Sequence, residues 1–592
     1  MDRCRRRLHS RMRLYPSLEI LFMSKLRKVA TASFRWGWFV LLVLLAFGYL
    51  VAGLSGNQLL RIDFRLDSQT VVARQVDSSA MPVVKNIERT ILPTVEKINA
   101  DRNQRLNRLG LECSQPADWL TVCRRLSLAL VGNGLSLEEI RTLEQIDESK
   151  RERMHLENLL QDQRFHHYWA ERWSRFLVGT DGGQFIVYRR RRFRIWLAEV
   201  FAANQRYDRT VRELLTAEGL WTDKPQVNFL TATFDSNDGS ADPIRLAART
   251  SRVFLGLRID CLQCHNDFLG NVNLGDAPEL REGMQQDFHQ LAAFFSSAKT
   301  NGLQGVRDGE VDYSYKYLND EKETDVEAGV PFLPGLLPVE GKPRARLAVW
   351  VTHPENLQAA RAAVSHVWAL MFGRAIGETV DNLPLDEPTH PMMDSLARDF
   401  VAHGFDLRRL IRVIAASEAF RADSRAEFEI TPEHEQSFAV FPLVRLRPEQ
   451  VAGAIIQAAR IKTTDRESSF VLQLLTMTGT NDFVTQYGDI GEDEFNSDSI
   501  TITQRLLMMN GKLLRELVES NPILNASKHV GMFAYDTPQT VELLYLSALN
   551  RFPTSSEKKH FVSRIDCSEN TDEAIEDLFW VLLNSSELAW NH

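Results

Sequence analysis

Residues Trp36 to Leu54 form an uncharged, mostly aliphatic run of 19 residues. A helix of that length spans about 28 Å, close to the hydrocarbon thickness of a bilayer. Trp36, Trp38 and Tyr49 stand near its ends, where amphipathic rings favour the membrane interface. The run reads as an uncleaved transmembrane anchor; a cleaved signal peptide is the rival reading, and its apolar part is usually shorter. Residues 1–35 hold ten Lys/Arg against two Asp/Glu, a balance of +8, so the rest of this −8 chain stands at −16. The positive flank places a basic tail (1–35) in the cytoplasm, a single-pass anchor in the inner membrane (36–54), and the bulk of the chain outside the cytoplasm, in the periplasm. Met1 and Met23 are both candidate starts. An acidic exported bulk is a poor nucleic-acid binder.

Beyond the anchor, a polar tether (55–90) leads into sequence whose apolar period is helical. Trp119, Val122, Leu126 and Leu130 share one helix face, and Gly132 ends that helix. Ser136 and Glu139, like Thr554 and Glu557, have capping-box spacing, and Pro448 opens a later helix. Tyr168, Trp169, Trp173 and Phe176 form an aromatic stripe that reads as core. Residues 222–243 and 269–283 read as loops. The stretch Glu310–Tyr317 alternates like a strand, and Pro331, Pro334, Pro338 and Pro343 stiffen the connection after it. The expectation is a mainly α protein: a transmembrane helix, then two helical domains (91–300 and 346–592) joined by an extended, partly β segment (301–345).

Cys261-Leu-Gln-Cys-His265 carries most of the chemistry. Six Cys and fourteen His in 592 residues would produce C-x-x-C-H by chance in roughly 0.001 such chains. This is the attachment pattern of haem c: Cys261 and Cys264 for the two thioethers, and His265 as proximal iron ligand. His289 is a candidate for the sixth position, because its helix follows a loop and carries Phe288, Phe294 and Phe295, which could wall a haem; Met284 comes next. Two other readings stay open. Cys261 and Cys264 could form a disulfide or redox pair, or half of a zinc site completed from Asp260, Asp267 and His289. Cys113 and Cys123 could also pair in an exported protein.

Several phrases in order resemble a known pair of domains. Arg124-Arg-Leu-Ser-Leu-Ala-Leu-Val-Gly132, Phe254–His265 and Asp287–Phe295 are similar to the domain of unknown function numbered 1549, described as planctomycete cytochrome-c-like. Leu347–Asn356, Val367–Gly373, Leu396–Asp406 and Glu542–Pro553 resemble its usual partner, the domain of unknown function numbered 1553. The resemblance implies an exported setting and a cytochrome-like role. In that family the motif usually continues His-Asp-His-Pro-Phe, whereas this chain reads His265-Asn-Asp-Phe-Leu269; the second His and the Pro are missing. Ser365-His366 stands where the family tends to have Asn-Arg.

Two further features could bear on partners. Arg189–Arg194 holds five arginines, which read as a solvated helix face or as a site for an anionic glycan or another anion. His353, His366, His390 and His403 lie among Asp381, Asp386, Asp394 and Asp406, so a His/Asp metal site is conceivable. The expected function is a membrane-anchored extracytoplasmic protein that binds haem c covalently and passes electrons to a redox partner. The alternative is a non-catalytic helical surface or scaffold protein, or a glycan-associated one, with a Cys261–Cys264 disulfide.

Overall fold

The computed structural model describes residues 80–592, except 180–187, 235–240, 301–303, 311, 387–389 and most of 464–501 and 511–525. Trp36–Leu54 lies outside the described residues. Among those described, no helix is long and apolar enough to cross a membrane.

The protein is mainly helical, as expected, with eight short strands among the described residues. The helices that place the site are α1 (Ala80–Leu109), α2 (Trp119–Val131), α3 (Gln163–Val178), α4 (Arg190–Ala202), α5 (Pro243–Leu255), α6 (Gln285–Ala293), α7 (Pro343–Val351), α8 (Leu357–Phe372), α9 (Pro391–Ala402), α10 (Leu407–Ala416), α11 (Pro448–Ala458) and α12 (Thr537–Leu549). The expected tether is shorter at its far end, because α1 already begins at Ala80. Local signals explain several boundaries. Asp118 accepts from the N–H of Leu120 and Thr121 at the start of α2, and Gly132 closes it in a left-handed conformation (φ 74°) that favours glycine. Both capping boxes form.

The strands pair as antiparallel two-stranded ribbons: β1 (Asn273–Leu274) with β2 (Arg281–Glu282), β3 (Ala298–Thr300) with β4 (Val306–Asp308), β5 (Ser314–Tyr315) with β6 (Thr324–Asp325), and β7 (Val444–Arg445) with β8 (Trp590–Asn591). The first ribbon lies inside 269–283, expected as plain loop. The third contains the alternating stretch, with Tyr313, Tyr315 and Tyr317 half-buried and the residues between them exposed.

The segment 301–345 does interrupt the helices, yet it does not separate the chain into a core on either side. Residues Asp77 to His592 form one compact unit. Its main apolar core runs from Ile91 through Trp169, Phe254 and Phe295 to Trp350, Trp368 and Phe441. Helix α1 lies against α9 and α10 of the second stretch. There Thr94 donates to Asp399 (2.6 Å) and the Arg102 guanidinium donates to the Phe438 carbonyl (2.8 Å). Helix α2 is buried from Leu120 to Val131 except at its first turn. Leu128 joins a second core with α11 and α12, and Leu120 and Cys123 join a third with Leu546. A helix buried all round is apolar or internally paired; α2 achieves this despite Arg124 and Arg125, whose charges are met by backbone carbonyls.

Helices α2 and α11 approach so closely that a Cβ on Gly453 would stand 2.4 Å from the Gly132 carbonyl oxygen. Gly453→Ala gains about 1 kcal/mol of helix propensity but forces overpacking worth about 1–3 kcal/mol against a backbone atom that cannot swing away. The denaturant midpoint is therefore expected to fall. Gly335→Ala, with nothing within 4 Å of the added Cβ, serves as the neutral control; equal midpoints for the two variants would rule out the close approach.

Candidate functional site

The motif is delivered by α5. Asp242 caps its start, and Gly256 (φ 60°) ends it, its carbonyl accepting from the Leu383 N–H at 2.7 Å. Arg252 pairs with Asp260 and Arg258 with Asp381, so the chain is held on both sides before it turns. Residues Asp260–Gln263 then make one 3₁₀ turn. At three residues per turn, positions i and i+3 fall on one side. Leu262 points into the core with no exposed surface, whereas Cys261, Cys264 and His265 are exposed. Both thiols are free.

The His265 ring is oriented by its neighbour. Its Nδ1 lies 2.7 Å from the Asn266 carbonyl oxygen. A carbonyl only accepts, so Nδ1 is the donor of that bond, and in the neutral ring the lone pair sits on Nε2. That is the tautomer in which an imidazole ligates a metal through Nε2. The ring lies near-parallel to Phe268, 6.2 Å centroid to centroid and 17° between planes. Burial and the Asp267 carboxylate push the Cys261 thiol up from its ordinary range. A thiol of that kind is not a pre-activated redox nucleophile.

Behind the turn stands an aromatic clamp. The carbonyl of Gln263, between the two cysteines, accepts from His289 Nε2 (3.1 Å), the Tyr315 hydroxyl (3.0 Å) and the Gln285 amide (3.3 Å). His289 Nδ1 in turn accepts from the Tyr313 hydroxyl at 2.8 Å. The His289 ring stacks on Tyr315 at 3.4 Å, with Tyr317 edge-on. His289 is fully buried, and burial lowers its pKa, so the ring is neutral. Both of its nitrogens are therefore engaged, and His289 holds the motif from behind instead of offering itself as the sixth ligand. Phe288, Phe294 and Phe295 are likewise not haem walls, because all three sit in the main core with no exposed surface.

The other expected sites come apart. Asp267, the position of the missing second His, turns onto the backbone and accepts from the N–H of Leu269 and Val272. With Asp260 on Arg252 and His289 on Gln263, a zinc set around the cysteines does not assemble; among the described residues no three His, Cys, Asp or Glu side chains gather to hold a metal ion. In the second stretch His366 donates to the Ala362 carbonyl and His390 caps α9. Cys113 is exposed and Cys123 buried, and the two are not joined. Of the arginine run, Arg190 and Arg194 lie beside Glu171, and Arg191 and Arg192 are exposed on α4. Sequence reasoning missed Gln263, Gln285, Asn266 and the tyrosines. The alternation at 310–317 signalled a strand but not what it faces.

No curated protein and no solved structure matches the chain. Residues 97–300 match the family described as PSCyt2, protein of unknown function (DUF1549), and residues 343–476 match PSD1, protein of unknown function (DUF1553). The second match is shorter than the expected 346–592 and leaves the last helices outside it. The chain therefore carries the PSCyt2 and PSD1 domains in that order, with Cys261–His265 inside the first and one core running through both.

Proposed function

We propose that this is a membrane-anchored, extracytoplasmic protein that binds haem c covalently at Cys261, Cys264 and His265 and serves electron transfer. The observation that carries the reading is the turn itself. Two free, exposed thiols stand three residues apart on one 3₁₀ turn, followed by an exposed His265 whose Nδ1 is taken by the Asn266 carbonyl, which leaves Nε2 as the nitrogen able to ligate a metal. The donor set fits the group. Haem would supply a one-electron centre. The chain's own residues do the rest: Cys261 and Cys264 would hold the group, His265 would ligate its iron, and the clamp at Gln263 fixes the spacing of the three. Exposed apolar side chains flank the motif, with Phe268 71% and Leu269 83% accessible, and a bound macrocycle would take that surface out of water. The anchor rests on Trp36–Leu54 and the basic residues before it.

The test is direct. The full chain is expressed in cells with a working c-type maturation system and recovered from the membrane fraction. Intact mass and absorbance are then measured beside a Cys261→Ser/Cys264→Ser variant. The expected result is a haem mass adduct and a Soret band in the first and neither in the second. A chain of unmodified mass, with both motif thiols open to alkylation, would sink the reading.

A further inference from the structure

We infer that the face carrying Cys261–His265 docks a basic protein, and that this protein is the electron carrier of the reading above, on which the carrier's role rests. Three observations lead to it. The first is charge. Residues 260–327 hold fourteen Asp/Glu against five Lys/Arg, a balance of −9, which is more than half of the −16 carried by residues 36–592. Ten of these carboxylates are exposed, and of the five cations Arg281 is already paired with Asp287 (2.5 Å).

The second is that the fold brings two acidic hairpins to the motif. The Gln285 side-chain amide ties one of them down. Its nitrogen donates to the Gln263 carbonyl (3.3 Å), and its oxygen accepts the Leu318 N–H (3.1 Å). The turn between β5 and β6 therefore stands beside the cysteines, and it carries Asp320, Glu321 and Glu323, all exposed. The β1–β2 ribbon is held just after β2, where the Gly283 carbonyl accepts the Asp267 N–H at 2.9 Å. That ribbon adds Glu279 and Glu282, also exposed.

The third is apolar surface within this charge. Leu318 opens the acidic turn and is 65% exposed, and Met284, Phe268 and Leu269 are exposed near it in the chain's path past the motif. An exposed apolar patch with a polar rim is the anatomy of a contact site. A rim of one sign steers and selects a partner of the other sign. The same rim repels an anionic lipid surface.

The experiment uses the full chain in uncharged detergent. The probe is a small, lysine-rich c-type cytochrome, with its lysine-acetylated form as control. Affinity is measured by titration calorimetry at about 20 and about 200 mM salt. The lysine-rich form is expected to bind at low salt and about tenfold or more weakly at high salt, and the acetylated form not to bind. Asp320→Lys/Glu321→Lys/Glu323→Lys weakens low-salt binding by about tenfold or more. Glu427→Lys/Glu429→Lys/Glu433→Lys makes the same change in net charge on exposed residues outside 260–327 and leaves affinity within about twofold. Leu318→Ser weakens binding at both salt concentrations. No binding at low salt, binding indifferent to salt, or equal effects of the two triple variants overturns the docking face and leaves the haem reading intact. Arg191 and Arg192, exposed on α4, make a second copy of the chain the rival occupant. Self-association of the wild type that the Asp320/Glu321/Glu323 variant abolishes would assign the face to that copy and overturn the basic partner. A chain with no haem adduct by mass overturns the electron-carrier role together with the haem reading, whatever its affinity for the probe.

Discussion

His289→Ala is expected to lower the stability of the protein by about 3–5 kcal/mol and to free the motif turn. The change removes a fully buried ring, so it leaves a cavity under a closely packed helix. It also breaks two hydrogen bonds at once. The Gln263 carbonyl loses its Nε2–H donor, and the Tyr313 hydroxyl loses its acceptor. Leaving a buried polar group unmade costs about 1–3 kcal/mol, and the stack on Tyr315 is lost as well. Tyr315→Phe is the informative partner, because it removes one of three donors to Gln263 and keeps the ring. Its cost should be about 1 kcal/mol. Denaturant midpoints give the comparison, and amide exchange across 259–267 should speed up in His289→Ala more than elsewhere. Two variants of equal stability, or a His289→Ala protein as stable as the wild type, would show that the clamp does not form.

The difference between the expected and the observed role of His289 has a physical source. A His on an amphipathic helix beside aromatic residues looks the same whether it faces a ligand or a carbonyl. What distinguishes the two is a strand 24 residues further on, counted from His289 to Tyr313, and no local pattern reports that contact. The strand itself is legible, because period-two alternation in 310–317 is a property of the segment alone. So are the cap at Ser136 and the glycine at 132, whose partners lie within a few residues. The C-x-x-C-H spacing is legible for the same reason: a 3₁₀ turn puts i and i+3 together whatever surrounds it. Met284 stands four residues before Phe288, a spacing that fits one helix face, but α6 starts only after it, and β2 turns the chain before the helix begins.

The joint between the two family stretches is the least legible region of the sequence, and it carries the second large expected effect. Arg125→Ala is expected to cost about 3–5 kcal/mol and to loosen the second stretch from the first. Arg125 has no exposed surface. Its guanidinium donates to the carbonyls of Phe420 (2.8 Å), Ala422 (2.7 Å) and His592 (2.8 Å), and lies 3.7 Å over the Phe441 ring. Burial lowers its pKa to about 9, so holding the charge there is itself costly and removing it gives some stability back. The loss still wins, because three carbonyls and an aromatic face lose this cation at once while an arginine-sized void opens. Arg125→Met separates these effects: it refills much of the volume and restores no hydrogen bond, so it should recover the cavity contribution and leave the carbonyl contribution. Limited proteolysis should then cut faster in 417–445 in both variants, since Arg125 ties that segment to α2. In sequence the pair Arg124-Arg125 reads as the polar side of an ordinary helix, because the acceptors of Arg125 lie 295 positions or more away. If Arg125→Ala and Arg125→Met unfold at the wild-type midpoint, the two stretches are held by apolar packing alone and the arginine is incidental.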